Sequence, residues 1–579
     1  MIRIKDHKQR DIFDPWHHLS PKRRRMLDEG WPGLFREHLL NELPVDQIVP
    51  FFRENFGRPS KELYTLLGAL LFQQTMDLND IDTIEQLSFN IQWHYALNIT
   101  EESDSAKYIS EKTLWSWRQV LIEHQLDQLM FDNISEKLAI VFNVDTSNQR
   151  IDSVHIRSNM RRLGRIGIFS QTIHKFLINL KRHHANLFET VSDPLIERYL
   201  SQKALSAFSL VKPSESAKTL KIVSTDLYDL IEQFKDQPMI CKMHSYKLMQ
   251  RVLDEQCNVQ NDGNGRKVTI KKPKEISSDS LQNPSDPDAT YSGHKGQGYQ
   301  VQIMETFTRS DDQKEKEETL NLITHVSAEK ACEHDSNALM PAIENTQQRD
   351  LGPEKILADT LYGGDDNMQK ATDAQVELIS PTFKGGQNEG VSLSHFSFDD
   401  NGRVHTCPAG KHPYEVRYKK KTQRYSARFG LKTCATCSHV DQCLVVPGKK
   451  NYFLRYSDKD SRLAKRRRFE ASDEFIEVYR YRAGVEATMS QYDALTGVKR
   501  LRVRGLRAVR YCATLKAAGL NLFRATSVRR ARKRSRSAEK GFLLPFPFIK
   551  EQFCVLLSAL GKIVPPRPVA SNFYPKLAA

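Results

Sequence analysis

At 579 residues, 39% of them hydrophobic and 27% charged, the chain is long enough for three or four domains and too apolar for wholesale disorder. Its longest apolar runs, Leu63–Phe72 and Phe553–Leu560, fall well short of the roughly 20 residues that span a bilayer, and the N-terminal MIRIKDHKQRDIFD has no apolar run of a secretory leader. A cytoplasmic protein with no membrane partner is therefore expected. The net charge of +15 suits a polyanion, and 14 Lys and Arg without one Asp or Glu lie between Lys499 and Arg536. Apolar residues threaded through that stripe (Leu501, Val503, Leu506, Val509, Leu515, Leu520, Leu522) argue against a merely solvated tail and for nucleic acid.

Along the chain, residues 1–140 read as helical. Lys61–Asn98 carries apolar residues at helical spacing, broken near Asp77–Asp80, and Ser110 is placed to cap a helix whose Leu114, Trp117 and Leu121 share a face. Such helices fit a DNA-reading unit or a bundle that only packs, and both readings stay open. Arg150–Arg157 reads as a strand. Residues 160–260 return to a helical, charge-rich pattern, and Asn261–Ser292, rich in Gly, Lys, Ser, Asp and Pro, reads as a loop. Tyr299–Met304, Asn321–Val326, a helix from Asp335 to about Gln347, and Glu354–Asp359 then make an α/β pattern. Residues 385–455 form an excursion, and one amphipathic helix is expected over Ser472–Ala494.

Three carboxylates stand out. Asp152 sits inside a strand, where acidic residues are uncommon, and Asp359 ends an apolar strand, the edge where catalytic groups of α/β sheets collect. Glu486 shares a helical face with Tyr479 and Arg482. Three convergent carboxylates are the hard-oxygen set that Mg²⁺ or Mn²⁺ takes, and two such ions serve phosphodiester cleavage and joining. From composition alone the choice is weak, since 71 Asp and Glu are available, and each has an ordinary explanation: an i, i+4 pair with Arg482 for Glu486, a turn for Asp359, a cap or bulge for Asp152. Asp145 is a rival for the first position, but it lacks an Arg two residues before it.

Arg150-Ile151-Asp152-Ser153 with Ser158-Asn159, then Asp359-Thr360-Leu361-Tyr362-Gly363, then Tyr479, Arg482 and Glu486 at Tyr-x2-Arg-x3-Glu spacing, together resemble the DDE transposases of bacterial insertion sequences. Asp286-Pro287-Asp288-Ala289, Lys295, Gly298-Tyr299, Arg504-Gly505 and Asn521 extend the likeness, and residues 57–135 resemble the helical N-terminal domain of one branch. The family's Lys seven residues after the Glu is Asp493 here, with Lys499 the nearest base downstream. The resemblance implies a ribonuclease-H-like α/β core carrying a helical N-terminal domain, a helical insertion and a Cys-containing insertion. It implies Asp152, Asp359 and Glu486 as catalytic and metal-holding residues for two Mg²⁺ or Mn²⁺ ions. It further implies double-stranded DNA partners (terminal inverted repeats and target), contacts from Tyr479, Arg482, Lys499, Arg500, Arg502 and Arg504, action as a homodimer, and a place at the nucleoid. The boundaries expected are a helical N-terminal domain over 1–140; a core over 141–384 with an insertion at about 160–285; the Cys-containing insertion over 385–455; the rest of the core, with the Glu helix, over 456–525; and a basic C-terminal segment over 526–579. A nuclease of the same fold, or a decayed copy that only binds DNA, are the alternatives.

Cys407, Cys434, Cys437 and Cys443 have the composition of a thiolate zinc site, with His405, His412 and His439 as spare donors, although C-x2-C-x5-C is less regular than paired C-x2-C knuckles. A structural Zn²⁺ and free packed thiols both remain open. The nine cysteines overall, odd in number, do not suggest a disulfide framework.

Overall fold

The computed structural model describes residues 2–9, 14–51, 60–262, 265–383 and 390–541. The apolar stretch Phe553–Leu560 and most of the expected C-terminal segment lie outside them. Among the described residues no helix is long and apolar enough to cross a membrane.

The N-terminal region is helical, with α1 (Leu63–Thr75), α2 (Asp80–Phe89), α3 (Glu111–Glu123) and α4 (Leu126–Phe142) as its main elements. Ser110 accepts the Thr113 N–H at 3.3 Å and so caps α3 as its position suggests. Helix α1 is apolar all round and buried all round, the pattern of a central core helix rather than a surface one.

Strand β1 (Asn148–Arg157) opens the second region. The chain then leaves the sheet for helices that include α5 (Arg165–His183), α6 (Ser216–Phe234) and α7 (His244–Gln256), whose apolar faces form a separate core around Phe169, Phe176, Leu227 and Tyr246. A hairpin, β2 (Cys257–Asp262) with β3 (Gly265–Ile270), follows where the composition suggested only loop. Its Asn, Gln, Gly and Lys residues are poor strand formers, so pairing with each other rather than propensity defines these strands.

The sheet resumes with β4 (Thr290–Ser292), β5 (Gly296–Thr306) and β6 (Ile323–Lys330), then α8 (Leu339–Gln347), β7 (Lys355–Leu357), α9 (Asp365–Asp373) and β8 (Glu377–Ile379). Its strand order is β4-β5-β1-β7-β8, with β6 following β4 along the same edge of β5. Pairings β1/β5 and β5/β6 are antiparallel, whereas β1/β7 and β7/β8 are parallel. The parallel strands are joined through α8 and α9, as crossover connections require. Both faces are covered. Ile151 and Met304 pack toward Leu339 and Ile343 of α8, while Val154, Ile156, Val301 and Ile303 join the core of the N-terminal helices.

The excursion contains its own four-stranded sheet, β9 (Glu415–Lys419), β10 (Arg424–Gly430), β11 (Val446–Pro447) and β12 (Asn451–Ser457), in the order β9-β10-β12-β11. After α10 (Asp458–Glu470) the expected single helix is two: α11 (Asp473–Tyr479), a 3₁₀ turn at Arg480–Ala483, and α12 (Gly484–Thr496). The turn brings Gly484 against β1 so closely that a Cβ there would meet the Arg150 guanidinium.

The largest departure from expectation is the basic stripe. It forms α13 (Leu506–Gly541), which runs without a break through residue 525, where the core was expected to end. The helix packs between α1, α4 and β6, burying Val509, Leu515, Ala518, Leu520 and Leu522. Gly519 lets it approach the Thr75 side chain. Asn521 both accepts from the Ile323 N–H (2.9 Å) and donates to the Ile323 carbonyl (2.8 Å), completing the free edge of β6 as a strand would. Several of the stripe's cations are spent inside the protein: Arg510 on buried Asp127, Lys516 on Asp77, and Arg524 on Glu305. Positive charge in a sequence and positive charge presented to solvent are therefore different quantities here.

Candidate active site

Arg150 pairs with Leu357 in the β1/β7 register, so two further residues along each parallel strand bring Asp152 and Asp359 side by side. Their proximity is also felt electrostatically. Burial raises the Asp152 pKa above the ordinary aspartate value, Arg482 opposes that rise, and the charges of Asp359 and Asp335 add to it. Asp152 accepts the Ser153 N–H at 2.8 Å through one oxygen and an Arg482 N–H at 2.7 Å through the other.

Asp359 lies just past the end of β7, where its carboxylate accepts the Leu361 N–H at 2.8 Å and so starts the turn. The turn is fixed from below by Tyr362, fully buried, whose hydroxyl donates to Gln302 at 2.5 Å. Gly363 follows because a Cβ there would collide with the Ser380 side chain. Each residue of Asp-x-x-Tyr-Gly thus has a local physical task.

Glu486 enters from α12. Its side chain is 76% exposed and stands 3.8 Å from Arg482, whose other nitrogen holds Asp152. One guanidinium therefore spans the first and third carboxylates. Among the described residues, no group of three His, Cys, Asp or Glu stands ready to hold a metal ion as the side chains now lie. The donors are the right chemistry for a hard divalent ion, with Asp152 and Asp359 close to each other, and Arg482 stands between Asp152 and Glu486 at 2.7 and 3.8 Å.

Tyr479, expected at DNA, donates its hydroxyl to the Ala358 carbonyl at 3.2 Å, one residue before Asp359. Among the basic residues expected at DNA, Arg502 pairs with Asp77 at 2.9 Å, whereas Arg500 and Arg504 are exposed and make no ion pair among the described residues. Lys499 lies 3.9 Å from Asp493. The rival Asp145 is exposed and accepts the Ser147 N–H at 2.9 Å, a turn before β1 rather than part of the site.

Sequence reading missed Glu305. It is wholly buried on β5, accepting from Arg150 (2.7 Å), Arg524 (2.8 Å) and Thr488 (2.8 Å), and so ties β1, α12 and α13 together. Burial alone would raise its pKa, but the two guanidiniums outweigh burial and hold it below the ordinary glutamate value. Arg150 also donates to the Tyr481 carbonyl at 2.7 Å, which locks the start of α12 to β1. No signal in an apolar strand such as YQVQIMET marks its last Glu as a clamp. Asp286 was noticed only as part of a resemblance. It is buried, accepts from Ser158 (2.5 Å), Tyr299 and the Gly505 N–H (3.0 Å), and fixes the basic loop before α13.

In the excursion, the Cys434 thiol is pushed up to about 11 by burial and then by neighbouring Cys407, Cys443 and Cys437, which places the four thiols in one neighbourhood. All four are free. The Gly410 N–H returns to the Cys407 carbonyl at 2.8 Å, Gly410 taking φ +73°. His412 faces the His405 carbonyl.

None of the curated proteins matches the chain. Two families do. The family described as Transposase DDE domain matches residues 406–526, which include the Cys-containing excursion and Glu486 but neither aspartate. The family described as Transposase domain (DUF772) matches residues 33–120, within the N-terminal helices. Both matches point the same way and support a DDE-type insertion-sequence transposase.

Proposed function

We propose that the protein cuts DNA at the ends of its own insertion sequence and joins those ends to target DNA, using Asp152, Asp359 and Glu486 around divalent metal. The observation that carries this reading is Asp359, just past the end of β7, close to Asp152 on the neighbouring parallel strand β1, with Glu486 presented by the helix whose start Arg150 ties to β1. The order β6-β5-β1-β7-β8, in which β5 alone runs against the other four strands, supports a ribonuclease-H-like core.

Mg²⁺ or Mn²⁺ ions, when bound, would activate a water or a DNA 3′-hydroxyl and offset charge on the leaving oxygen. The chain's own residues hold the geometry. Tyr479 fixes the carbonyl before Asp359, Arg150 and Glu305 fix the start of α12, and Arg482 keeps Asp152 and Glu486 turned toward each other. Exposed Arg500 and Arg504 carry charge for phosphates. A cleft of about 1200 Å³ on another face of α12 has six cations in its lining, of which Arg150 and Arg524 are held by Glu305 and Arg480 by Asp311, leaving Lys316, Arg530 and Arg534 outside any ion pair among the described residues, against Glu317 as its one acid. That balance favours a polyanion there too.

The partners in this reading are the element's terminal inverted repeats and target duplex, bound by a homodimer at the nucleoid. Cys407, Cys434, Cys437 and Cys443 would hold a structural Zn²⁺ once their thiols give up their protons to it. Metal analysis of protein purified without chelator should find one zinc per chain; a zinc-free, fully folded protein would leave them as packed thiols. For the activity itself, Asp359→Asn should keep DNA binding and lose cleavage of end-bearing DNA by about a thousandfold or more. Equal cleavage by the variant removes Asp359 from the site.

A further inference from the structure

Arg482 is placed unlike the other arginines of this region. Arg150 and Arg524 each give their donors to Glu305 and to backbone carbonyls or hydroxyls. Arg482 has one close partner, Asp152 at 2.7 Å, and a distant one, Glu486 at 3.8 Å, while its Nε is buried with no partner at all. A guanidinium has five donors in a fixed fork, and a buried unpartnered N–H is costly. The position is therefore a compromise: one positive charge is shared by two carboxylates, with Asp359 beside them.

Resting on the reading of these carboxylates as an ion site, we propose that Arg482 is an internal counter-charge that a divalent ion must displace. Before an ion arrives, the guanidinium holds Asp152 and Glu486 in register and lowers their repulsion. A dication between the same oxygens carries twice the charge and cannot share the space with a cation 2.7 Å from Asp152. Arg482 then turns outward, where its full set of donors, including Nε, can meet solvent or a phosphate oxygen. The protein consequently binds its ions more weakly than its carboxylates alone would, which keeps the centre guarded until substrate is at hand.

The test uses the full-length protein without DNA, titrated with Mn²⁺ and followed by loss of the free-ion electron paramagnetic resonance signal. Arg482→Gln should bind Mn²⁺ at least tenfold more tightly than wild type, and Asp152→Asn should abolish that binding in either background. Arg482→Lys, which keeps the charge but cannot bridge two carboxylates, should fall between, and it decides the matter if the Gln variant does not fold. A purely structural Arg482 would weaken ion binding when removed, the opposite sign. Equal affinities that depend on Asp152 overturn the counter-charge inference alone. Binding that survives Asp152→Asn, or no binding in any variant, overturns the ion-site reading beneath it.

Discussion

Two acids on neighbouring strands of one sheet, Glu305 fully buried and Asp152 half-buried, lie beside α12 and the 3₁₀ turn before it and meet opposite fates. Glu305 has two guanidiniums and a hydroxyl, and its pKa is held below the ordinary value. Asp152 has one guanidinium that it shares, a carboxylate as its neighbour, and a raised pKa. The first is a finished structural clamp whose charges are satisfied within the protein. The second is left short of positive charge, which is the condition a cation-binding centre needs before its cation arrives. A buried carboxylate is thus informative about function through its deficit rather than through its burial.

The comparison can be broken most sharply by exchanging which acid is neutralised. Glu305→Gln leaves Arg150 and Arg524 buried without their counter-charge, and such losses cost about 3–5 kcal/mol. Asp152→Asn should shift stability by no more than about 1 kcal/mol, since it removes an under-compensated charge. Urea unfolding of both variants checks this, and a larger loss for Asp152→Asn would reverse the assignment of roles. The acid limb sharpens it further. Glu305, with its folded pKa lowered, contributes stability that is present above its unfolded value near 4.5 and lost as pH falls through the folded value. Glu305→Gln should therefore flatten the stability decline below about pH 4.5.

The same contrast runs along the basic stripe, with smaller effects. Arg500 and Arg504 are exposed and make no ion pair among the described residues, while Arg502 is engaged by Asp77 and Arg510 by Asp127. Replacing Arg500 or Arg504 with Gln should reduce the slope of log affinity for DNA against log salt by about 0.9 each. Arg502→Gln should change it less. A slope equal to wild type in the Arg500 and Arg504 variants would take the loop off the DNA.

Much of this was legible in the residues. Alternation and turn chemistry place β1, β5, β7 and the acidic residues at their ends, because strand period and strand-end position are local properties. The spacing of Tyr479, Arg482 and Glu486 predicts one helical face; a 3₁₀ turn interrupts the helix, yet Tyr479 reaches the Ala358 carbonyl and Arg482 reaches both Asp152 and, more distantly, Glu486. The fate of α13 was not legible. Its cations are neutralised by Asp77, Asp127 and Glu305, all more than 200 residues away in the chain, and no local pattern reports a partner at that distance. The hairpin of β2 and β3 was missed for a related reason: its strands are held by each other rather than by their composition.

Whether divalent ions sit between the aspartates decides the function proposed for this chain. Anomalous scattering from crystals grown or soaked with Mn²⁺ measures that directly. Density is expected about 2 Å from carboxylate oxygens of both Asp152 and Asp359, with Glu486 drawn in and the Arg482 guanidinium moved away. Manganese bound elsewhere on the protein, with Asp152 still paired to Arg482, would contradict it.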